Sequence, residues 1–358
     1  TQLPRATDVI KDIMSLLAPF ASHLQLNELI EFLIADFRDA FFIMPNHPKE
    51  RRFFAVWYGG EVLVFIKTTQ GSRGAPLTWA RLAALVTRLT QSVLGTSAAR
   101  ISTYVDDPIV VAVGQRGARR RTFAITLALW SALGLPLALE KAQIARSVTW
   151  TSAVFTPTTR GVDVSVKESI ITDTITLCQQ FLGQSYVTHK ALRSFVGKVM
   201  HVASLVTTVR PFINELYAAL HSESHQGPTS ATAWTRQIHR SLCWLLALLT
   251  RNKGSLTRQF DIGVYYGRGL VVDMCLDASP WGLGGFLTVQ GRITSWFACD
   301  LSQQEVQLLG ITVGSSAAQQ VVEALVALVA LRGWSNLWSR QRARIKVRSD
   351  SISALVLC

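Results

Sequence analysis

The stretch that decides the fold is Ile101-Ser102-Thr103-Tyr104-Val105-Asp106-Asp107-Pro108-Ile109-Val110-Val111. Asp106 and Asp107 interrupt an apolar, β-branched run, which predicts a strand, a tight turn and a second strand. Because side chains alternate along a strand, adjacent acids inside it would force one carboxylate into a core, whereas both can face one cleft at a hairpin tip. Clustered carboxylates are preferred ligands of hard divalent cations. An Asp pair is also common in solvated turns, so this stretch alone leaves both interpretations open.

The composition predicts a folded protein that binds a polyanion. The chain has 358 residues, of which 49% are hydrophobic and 16% charged, enough for two or three packed domains. It carries 36 Lys and Arg residues against 23 Asp and Glu residues, for a formal net charge of +13. A folded protein this basic usually binds nucleic acid, with a membrane surface as the second candidate.

The cysteines and the apolar segments predict an intracellular protein without a membrane span. Five widely spaced cysteines in no CxxC pair indicate a reducing compartment, with neither a disulfide framework nor a zinc site. The segment nearest to a membrane span, residues 122–139, contains Gly134 and Pro136, and we expect a buried helix that ends near Gly134. The sequence begins without Met and ends on a hydrophobic run, so we expect a fragment of a longer protein.

Hydrophobic periodicity predicts a chain of mixed helices and strands. In the first part we expect helix at 1–30, strands at 32–37, 53–57 and 62–66, helix at 77–94, a basic loop at 116–121 before the helix from Thr122, and a strand at 147–155. Helices at 164–182, 189–220 and 233–249 follow, with a linker at 222–231. After residue 270 we expect strands at 271–276, 286–289, 293–297 and 345–348, a Gly-rich turn at 282–285 and a helix at 317–331.

A third acid belongs with the pair at the hairpin tip. Asp36 stands near the end of the first predicted strand, and neighbouring strands in one sheet would bring Asp36, Asp106 and Asp107 together. Three convergent carboxylates suit two Mg²⁺ ions about 3.5–4 Å apart, with Mn²⁺ as a possible substitute, which is the arrangement for in-line phosphoryl transfer.

Several segments, in this order, resemble the palm motifs of reverse transcriptases. They are residues 36–42, with Asp36 as the metal-binding acid; Gln70-Gly71 with Ala75-Pro76; Tyr104-Val105-Asp106-Asp107; Gly134-Leu135-Pro136 followed by Lys141; and Val148-Thr149-Trp150, similar to the strand that grips the primer. Each match alone is weak, but the shared order and spacing make the set specific.

The resemblance implies roles for residues that would bind the incoming nucleotide. Phe41 would lie below the sugar and exclude a 2′-hydroxyl, thereby selecting dNTPs, although it could also be simple core packing beside Phe42. Gln70, Gly71 and Tyr104 would line the nucleotide and template site, the alternative being an ordinary loop at the first two. Lys141 would neutralise pyrophosphate or donate a proton to it, or be a solvated lysine.

The predicted helix at 189–220 resembles the thumb helix that tracks the primer–template minor groove. Arg193, Gly197 and His201 recur every fourth residue on one stripe, and Lys198 is adjacent. The resemblance implies phosphate contacts from Arg193 and Lys198, sugar contacts from His201, and close approach at Gly197. A glycine packed on a neighbouring helix is the competing interpretation.

The C-terminal part resembles the ribonuclease H fold. Asp277 ends a predicted strand, Glu323 lies on an otherwise apolar helix, and Asp350 follows the last predicted strand. In that family such acids hold two Mg²⁺ ions that cleave the RNA of a hybrid. Turn formation at Asp277 and a helix-surface position for Glu323 are the alternatives. A fourth acid usually follows, and the chain ends soon after Asp350, so ribonuclease H activity is left open.

These observations predict an α+β multidomain protein: a right-hand polymerase followed by an α/β ribonuclease H-like domain. The expected domains are partial fingers and palm at 1–160, a helical thumb and connection at 161–265, and a truncated ribonuclease H-like domain at 266–358. The resemblance implies that basic residues of the fingers precede the first palm motif. Only Arg5 and Lys11 are Lys or Arg residues before Asp36, so we expect much of the fingers to be missing. Residues 277–282 and the long helical region most resemble pol proteins of DIRS-like, tyrosine-recombinase retrotransposons.

The predicted function is RNA-directed and DNA-directed DNA synthesis from dNTPs. The partners would be an RNA template, a DNA primer–template and an RNA–DNA hybrid, and the oligomeric state stays open. The alternative is a decayed retroelement fragment that binds nucleic acid without catalysis, and a role as a nuclease alone is least favoured.

Overall fold

The computed structural model describes residues 3–221, 227–229, 231–251, 255–339 and 341–351. The chain forms two compact units, residues 1–262 and 263–358. One cluster of buried residues continues across residue 160, so the division predicted there stays a prediction. Within the described ranges, no helix is both long and apolar enough to cross a membrane.

The helices and strands of the first unit alternate until residue 166 and are mainly helical afterwards. The helices are α1 (Ala6–Leu17), α2 (Ala75–Leu94), α3 (Arg116–Ala132), α4 (Glu168–Leu182), α5 (His189–Leu205), α6 (Arg210–His221), α7 (Thr235–Leu249) and the short α8 (Ile262–Tyr265) at the boundary. The strands are β1 (Ile30–Ile34), β2 (Ala55–Tyr58), β3 (Glu61–Val64), β4 (Ala99–Tyr104), β5 (Asp107–Val113), β6 (Gln143–Ala145), β7 (Val148–Trp150), β8 (Ala153–Thr158), β9 (Gly161–Val166), β10 (Tyr186–Thr188), β11 (Thr232–Trp234) and β12 (Thr257–Asp261).

A four-stranded antiparallel sheet in the order β4-β5-β1-β6 carries the predicted hairpin. Because side chains alternate along its strands, they point to opposite faces of the sheet, and each face packs into a separate buried cluster. Leu33 and Val110 belong to the buried cluster that includes α2 and α3 side chains. Phe32 and Val111 belong to the cluster that includes α1 and the helices α4 to α7. Both faces are therefore dry, and only the strand ends are left for polar chemistry.

Two helix predictions in the first unit were wrong at their ends. Val162, Val164 and Val166 are all buried and alternate with polar residues, so the period is two and residues 161–166 form β9 instead of helix. The helix predicted at 189–220 is two helices, because α5 ends before Val206 and α6 begins at Arg210. Most of the predicted linker, 222–231, lies outside the described residues.

The basic segment at 116–121 is not a loop but the first turns of α3. Arg119 is only 4% exposed there; its Nε donates to Glu31 Oε2 at 3.2 Å, and its Nη1 donates to the backbone oxygen of Glu28 at 2.9 Å. Such a buried cation is tolerated because an acid and backbone carbonyls surround it. The charge pattern alone suggested a solvated loop and missed this internal partner.

The second unit contains a four-stranded sheet in the order β15-β14-β13-β16. Its elements are β13 (Leu270–Ala278), β14 (Gly282–Val289), β15 (Arg292–Asp300), α9 (Gln303–Leu309), α10 (Gln319–Gly333) and β16 (Ala343–Arg348). Strand β16 runs parallel to β13, while β14 and β15 are antiparallel to their neighbours. Val322 and Val326 of α10 belong to the same buried cluster as Leu276 of β13.

The predicted Gly-rich turn at 282–285 is instead the beginning of β14. A Cβ on Gly282 would lie 2.7 Å from Cys299 O, and one on Gly285 would lie 2.7 Å from Leu276 Cδ2. These glycines therefore allow close contact with neighbouring strands and side chains. In the sequence, glycines that serve such close packing cannot be told from the glycines of a turn.

Candidate active site

The structure brings Asp36, Asp106 and Asp107 together at one end of the first sheet. Strands β1 and β5 pair with Ile34 opposite Ile109, and two more residues in the same register put Asp36 opposite Asp107. The Phe37 backbone N–H donates to Asp106 O at 3.0 Å, which fixes the segment after β1 against the hairpin tip. Directly opposed residues in antiparallel strands have Cβ atoms about 4.5–5.5 Å apart, so these carboxylates are close neighbours.

The electrostatics of the acid cluster reflect this crowding. Burial, followed by the charges of Asp106 and Asp36, raises the pKa of Asp107 to about 7. Burial is also the largest cause that raises the pKa of Asp106, and the charge of Asp36 adds to it. The charges of Asp36 and Asp106 thus oppose ionisation of Asp107, and that of Asp36 opposes ionisation of Asp106.

Lys141 places a positive charge beside these acids. Its Nζ lies 2.5 Å from Asp36 Oδ2, with the lysine side chain 66% exposed and the aspartate side chain 25% exposed. The hydrogen bond with Asp36 is the main cause that raises the pKa of Lys141. Beside this pair, Arg38 Nη2 donates to both carboxylate oxygens of Glu140 at 2.8 Å. Two ion pairs therefore join the segment after β1 to the segment after Pro136.

The donor chemistry of this cluster fits a divalent metal. Its side chains offer carboxylate oxygens only, the ligands that Mg²⁺ prefers, and their mutual repulsion would be relieved by a cation. In the part of the chain that the structure describes, no group of three or more acids, histidines or cysteines is already arranged to hold a metal ion. The role of these acids as metal ligands stays a prediction.

Two buried tryptophans that sequence reasoning did not connect with the hairpin tip contact its backbone. Trp79 Nε1–H on α2 donates to Val105 O at 2.7 Å, and Trp150 Nε1–H on β7 donates to Asp107 O at 2.9 Å. Val105 has a φ of +55°, an unusual value for a β-branched residue. In the sequence, Trp79 and Trp150 are recognisable only as large aromatic residues within or beside the second and fifth palm-like motifs. Their hydrogen-bond acceptors, Val105 and Asp107, are 26 and 43 positions away, so the pairing could not be seen there.

The residues predicted to bind the nucleotide differ in exposure and in backbone conformation. Gln70 is exposed, and Gly71 has a φ of +85°, so its glycine is required by the backbone conformation. Tyr104 is exposed at the hairpin, with its ring edge-on to Trp150 at 6.4 Å. Phe41 is half-buried and packs against the cluster that includes Trp79.

The segment that contains Phe41 is not an extended strand. Residues Ala40–Ile43 form a 3₁₀ turn that follows Asp39, whose φ is +53°. Both Phe41 and Phe42 are half-buried there, so strand alternation cannot decide which ring faces the nucleotide. The sugar-gate role of Phe41 stays a prediction.

The predicted thumb residues lie on α5. Arg193, Gly197 and His201 are exposed along one stripe, while Leu192, Phe195 and Val199 are buried; Met200, also on this helix, is exposed. A Cβ on Gly197 would meet no atom within 4 Å, so this glycine is not packed on a neighbouring helix. Lys198 instead forms an ion pair with Asp173 at 2.7 Å, and a phosphate would have to compete for it.

The three acids of the second unit are less closely assembled. Asp277 is exposed, between Leu276 and Ala278, which are buried, so it faces away from the core shared with α10. Arg348 pairs with Cys275 at the end of the parallel register, and Asp350 follows two residues after β16 ends, where it is exposed. Gln319 Nε2 donates to Glu323 Oε1 at 2.8 Å and to Ala278 O at 2.9 Å, connecting Glu323 with β13.

Asp300 is an acid near this site that sequence reasoning missed. It ends β15 and, together with Asp277, lines a cavity of about 400 Å³ over Gly282 and Gly284. The pairing of Gly282 with Asp300 across β14 and β15 brings it there. Its position after a predicted strand end was the available signal, because acids at strand ends converge on one edge of a sheet.

Neither a scan of protein-family models nor a search of curated proteins gave a match. A structure of the foamy viral protease-reverse transcriptase in complex with double-stranded DNA is similar, with 14% sequence identity, a TM-score of 0.50, and coverage of 94% of this chain and 53% of that chain. A structure of the foamy viral protease-reverse transcriptase in complex with an RNA/DNA hybrid has 15% identity and a TM-score of 0.48, covering 99% of this chain and 47% of that chain.

The chain spans about half the length of these structures. At this level of identity, the likeness to the first structure concerns the fold alone. The expected mixture of helices and strands in a reverse-transcriptase-like fold is confirmed at that level, while the arrangement of a polymerase followed by a ribonuclease H-like domain stays a prediction.

Proposed function

We propose that this protein is an RNA-directed and DNA-directed DNA polymerase of a retroelement, acting on a primer 3′-hydroxyl with dNTPs. The observation that carries the proposal is the meeting of Asp36 with Asp106 and Asp107 at the end of one sheet, across 70 positions of sequence, in a reverse-transcriptase-like fold. A structural role does not explain why Asp106 and Asp107 should stand where burial and the charge of Asp36 raise the pKa of both.

The chain's own residues divide the work as follows. Asp36, Asp106 and Asp107 hold the metal ions by their carboxylate oxygens. Mg²⁺, when bound, would activate the primer hydroxyl and neutralise the leaving pyrophosphate. Lys141 Nζ leaves Asp36 for the pyrophosphate, to which it donates a proton or a charge-assisted hydrogen bond. Phe41 supports the sugar and excludes a 2′-hydroxyl.

Nucleic acid would be held mainly by charge and by α5. The formal net charge of +13 favours a polyanion, and Arg193 and His201 lie exposed beside the open surface at Gly197. An RNA–DNA hybrid or a DNA primer–template could approach the helix closely at that glycine. In the second unit, Asp277, Glu323 and Asp350 would form a ribonuclease H-like metal site for the RNA strand. We also propose that the retroelement is of the DIRS-like, tyrosine-recombinase class.

Primer extension tests the proposal. An oligo(dT) primer on a poly(A) RNA template, with dTTP and Mg²⁺, should be extended by the protein and not by the Asp106→Asn variant. Incorporation of rNTPs by the unaltered protein would contradict the role of Phe41. Salt-sensitive binding of the hybrid without any extension would favour the alternative, a nucleic-acid-binding fragment without catalysis.

A further inference from the structure

The backbone of the hairpin tip is held more completely than a two-residue turn requires. Three consecutive carbonyl oxygens, those of Val105, Asp106 and Asp107, each accept a hydrogen bond from a separate part of the chain. The donors are Trp79 Nε1 at 2.7 Å, the Phe37 backbone nitrogen at 3.0 Å and Trp150 Nε1 at 2.9 Å. Each peptide plane that bears on the two acids is therefore fixed from outside the hairpin.

The turn needs this support because Val105 is a poor residue for its conformation. At a φ of +55° it lies in the left-handed region, which Gly, Asn and Asp enter readily and a β-branched residue does not. Rotation of the Val105–Asp106 peptide would relieve the strain and would redirect the Asp106 side chain. The bond from Trp79 to Val105 O opposes that rotation directly.

Trp79 is well placed to resist such a rotation. It is fully buried on α2, and its ring packs edge-on against Phe37 at 5.6 Å, the residue directly after Asp36. One side chain thus touches the segments that carry Asp36 and Asp106, and the side chain that donates to Val105 O is fully buried. Hydrogen bonds in so dry a setting are costly to break.

We propose that Trp79 is a positioning residue that holds Val105 in its strained conformation and thereby aims Asp106 and Asp107 at Asp36. The proposal rests on the polymerase function for its catalytic consequence, but not for its structural consequence. Trp79 touches no reacting atom, so its loss should alter the rate of the chemical step much more than the binding of nucleotide.

The first experiment compares Trp79→Phe with Trp130→Phe. Trp130 is a matched control, because it is equally buried in the same cluster, also packs on Phe37, and donates its N–H to Thr90 Oγ1 at 2.9 Å, away from the turn. Each variant keeps an aromatic ring and loses one buried hydrogen bond. Similar shifts in the midpoint of thermal unfolding are expected from both.

Primer extension should separate the two variants. Trp79→Phe should lower kcat by about 10- to 100-fold, the range typical of a misplaced reacting group. Its KM for dNTP should change by no more than about twofold, and Trp130→Phe should leave kcat within about threefold. Equal losses of kcat in the two variants would overturn the proposal.

A double-mutant cycle with Val105→Gly tests the strain itself. Glycine adopts a positive φ without cost, so the loss caused by Trp79→Phe should be several-fold smaller when Val105 is glycine. Losses that simply multiply would show that Trp79 does not act through Val105, and the proposal would be wrong.

Hydrogen exchange gives a readout that needs no catalysis. The Phe37 amide donates to Asp106 O, so its exchange rate reports the position of the turn. Exchange should be faster in Trp79→Phe than in the unaltered protein, and unchanged in Trp130→Phe. If the unaltered protein fails to extend primers, the proposed function fails, while this exchange measurement still decides whether Trp79 holds the turn.

Discussion

The two acid clusters of this protein differ in how much of the fold is devoted to them. In the first unit, the acids are half-buried at the ends of paired strands, and neighbouring backbone is held by Trp79 and Trp150. In the second, Asp277 near the end of β13 and Asp350 after β16 are exposed, and Glu323 is connected with β13 through Gln319. The two clusters therefore contain similar acids and differ in how far these are buried and in how firmly the neighbouring backbone is held.

The largest effect should come from removing one acid of the first cluster. Asp106→Asn is expected to lower primer extension by at least about a hundredfold, because it removes charge where charge develops in the reaction. Asp277→Asn, in the second unit, should leave extension unchanged. Primer-extension rates of both variants, with circular dichroism as the folding control, check the contrast; equal rates would remove the distinction between the clusters.

A stability measurement should find the same contrast. Because the pKa of Asp107 is raised from 3.8 to about 7 in the folded state, its ionisation opposes folding: the penalty is absent below about pH 4, grows as the pH rises, and is complete above about pH 7. Without divalent cations, Asp107→Asn should therefore raise the free energy of unfolding at pH 8 by about 1–3 kcal/mol, at roughly 1.4 kcal/mol per pKa unit less solvent screening.

The gain from Asp107→Asn should disappear near pH 4. Asp277→Asn is the control, since exposed substitutions usually change the free energy of unfolding by less than about 0.5 kcal/mol. Urea unfolding curves at pH 4, 6 and 8 measure both variants, and a gain that does not depend on pH would contradict the crowding of the first cluster.

Two glycines sharpen the comparison on a smaller scale. Gly197→Ala should stabilise the first unit by about 0.5–1 kcal/mol, because alanine favours a helix and nothing lies within 4 Å. If α5 tracks a minor groove, the same change should weaken hybrid binding.

Gly285→Ala should have the opposite sign in the second unit. Its Cβ would meet Leu276 Cδ2 at 2.7 Å, and such overpacking costs about 1–3 kcal/mol. Thermal unfolding and hybrid-binding titrations measure both variants. A stabilised Gly285→Ala variant would contradict the close packing of Gly285 against Leu276.

The smallest effect belongs to the ion pair beside the first cluster. Arg38 and Glu140 are both exposed, so Arg38→Ala should lower the free energy of unfolding by less than about 1 kcal/mol. A double-mutant cycle with Glu140→Ala measures the pair, and a coupling well above that value would show that these charges are part of the rigid support.

Much of the local structure was predictable because it depends on periodicity. The hairpin around Asp106 and the strands on either side of Gly59 were expected from alternating spacing, and they are present. The failures have local explanations. Gly-rich composition at 282–285 looks the same for a turn as for a crowded strand, and α3 continues through Arg119 because Glu31 lies across from it in space.

Most of the helices and strands, the acids near strand ends and the basic charge follow from the sequence alone, because they depend on spacing and composition; β9, the start of β14 and the first turns of α3 do not. Only the tertiary structure decided that Asp36 lies opposite Asp107, that Trp79 and Trp150 donate to the turn, and that Asp300 joins Asp277. The physical reason is that register and side-chain partners depend on contacts between residues 26 to more than 70 positions apart, which the packing of whole sheets selects.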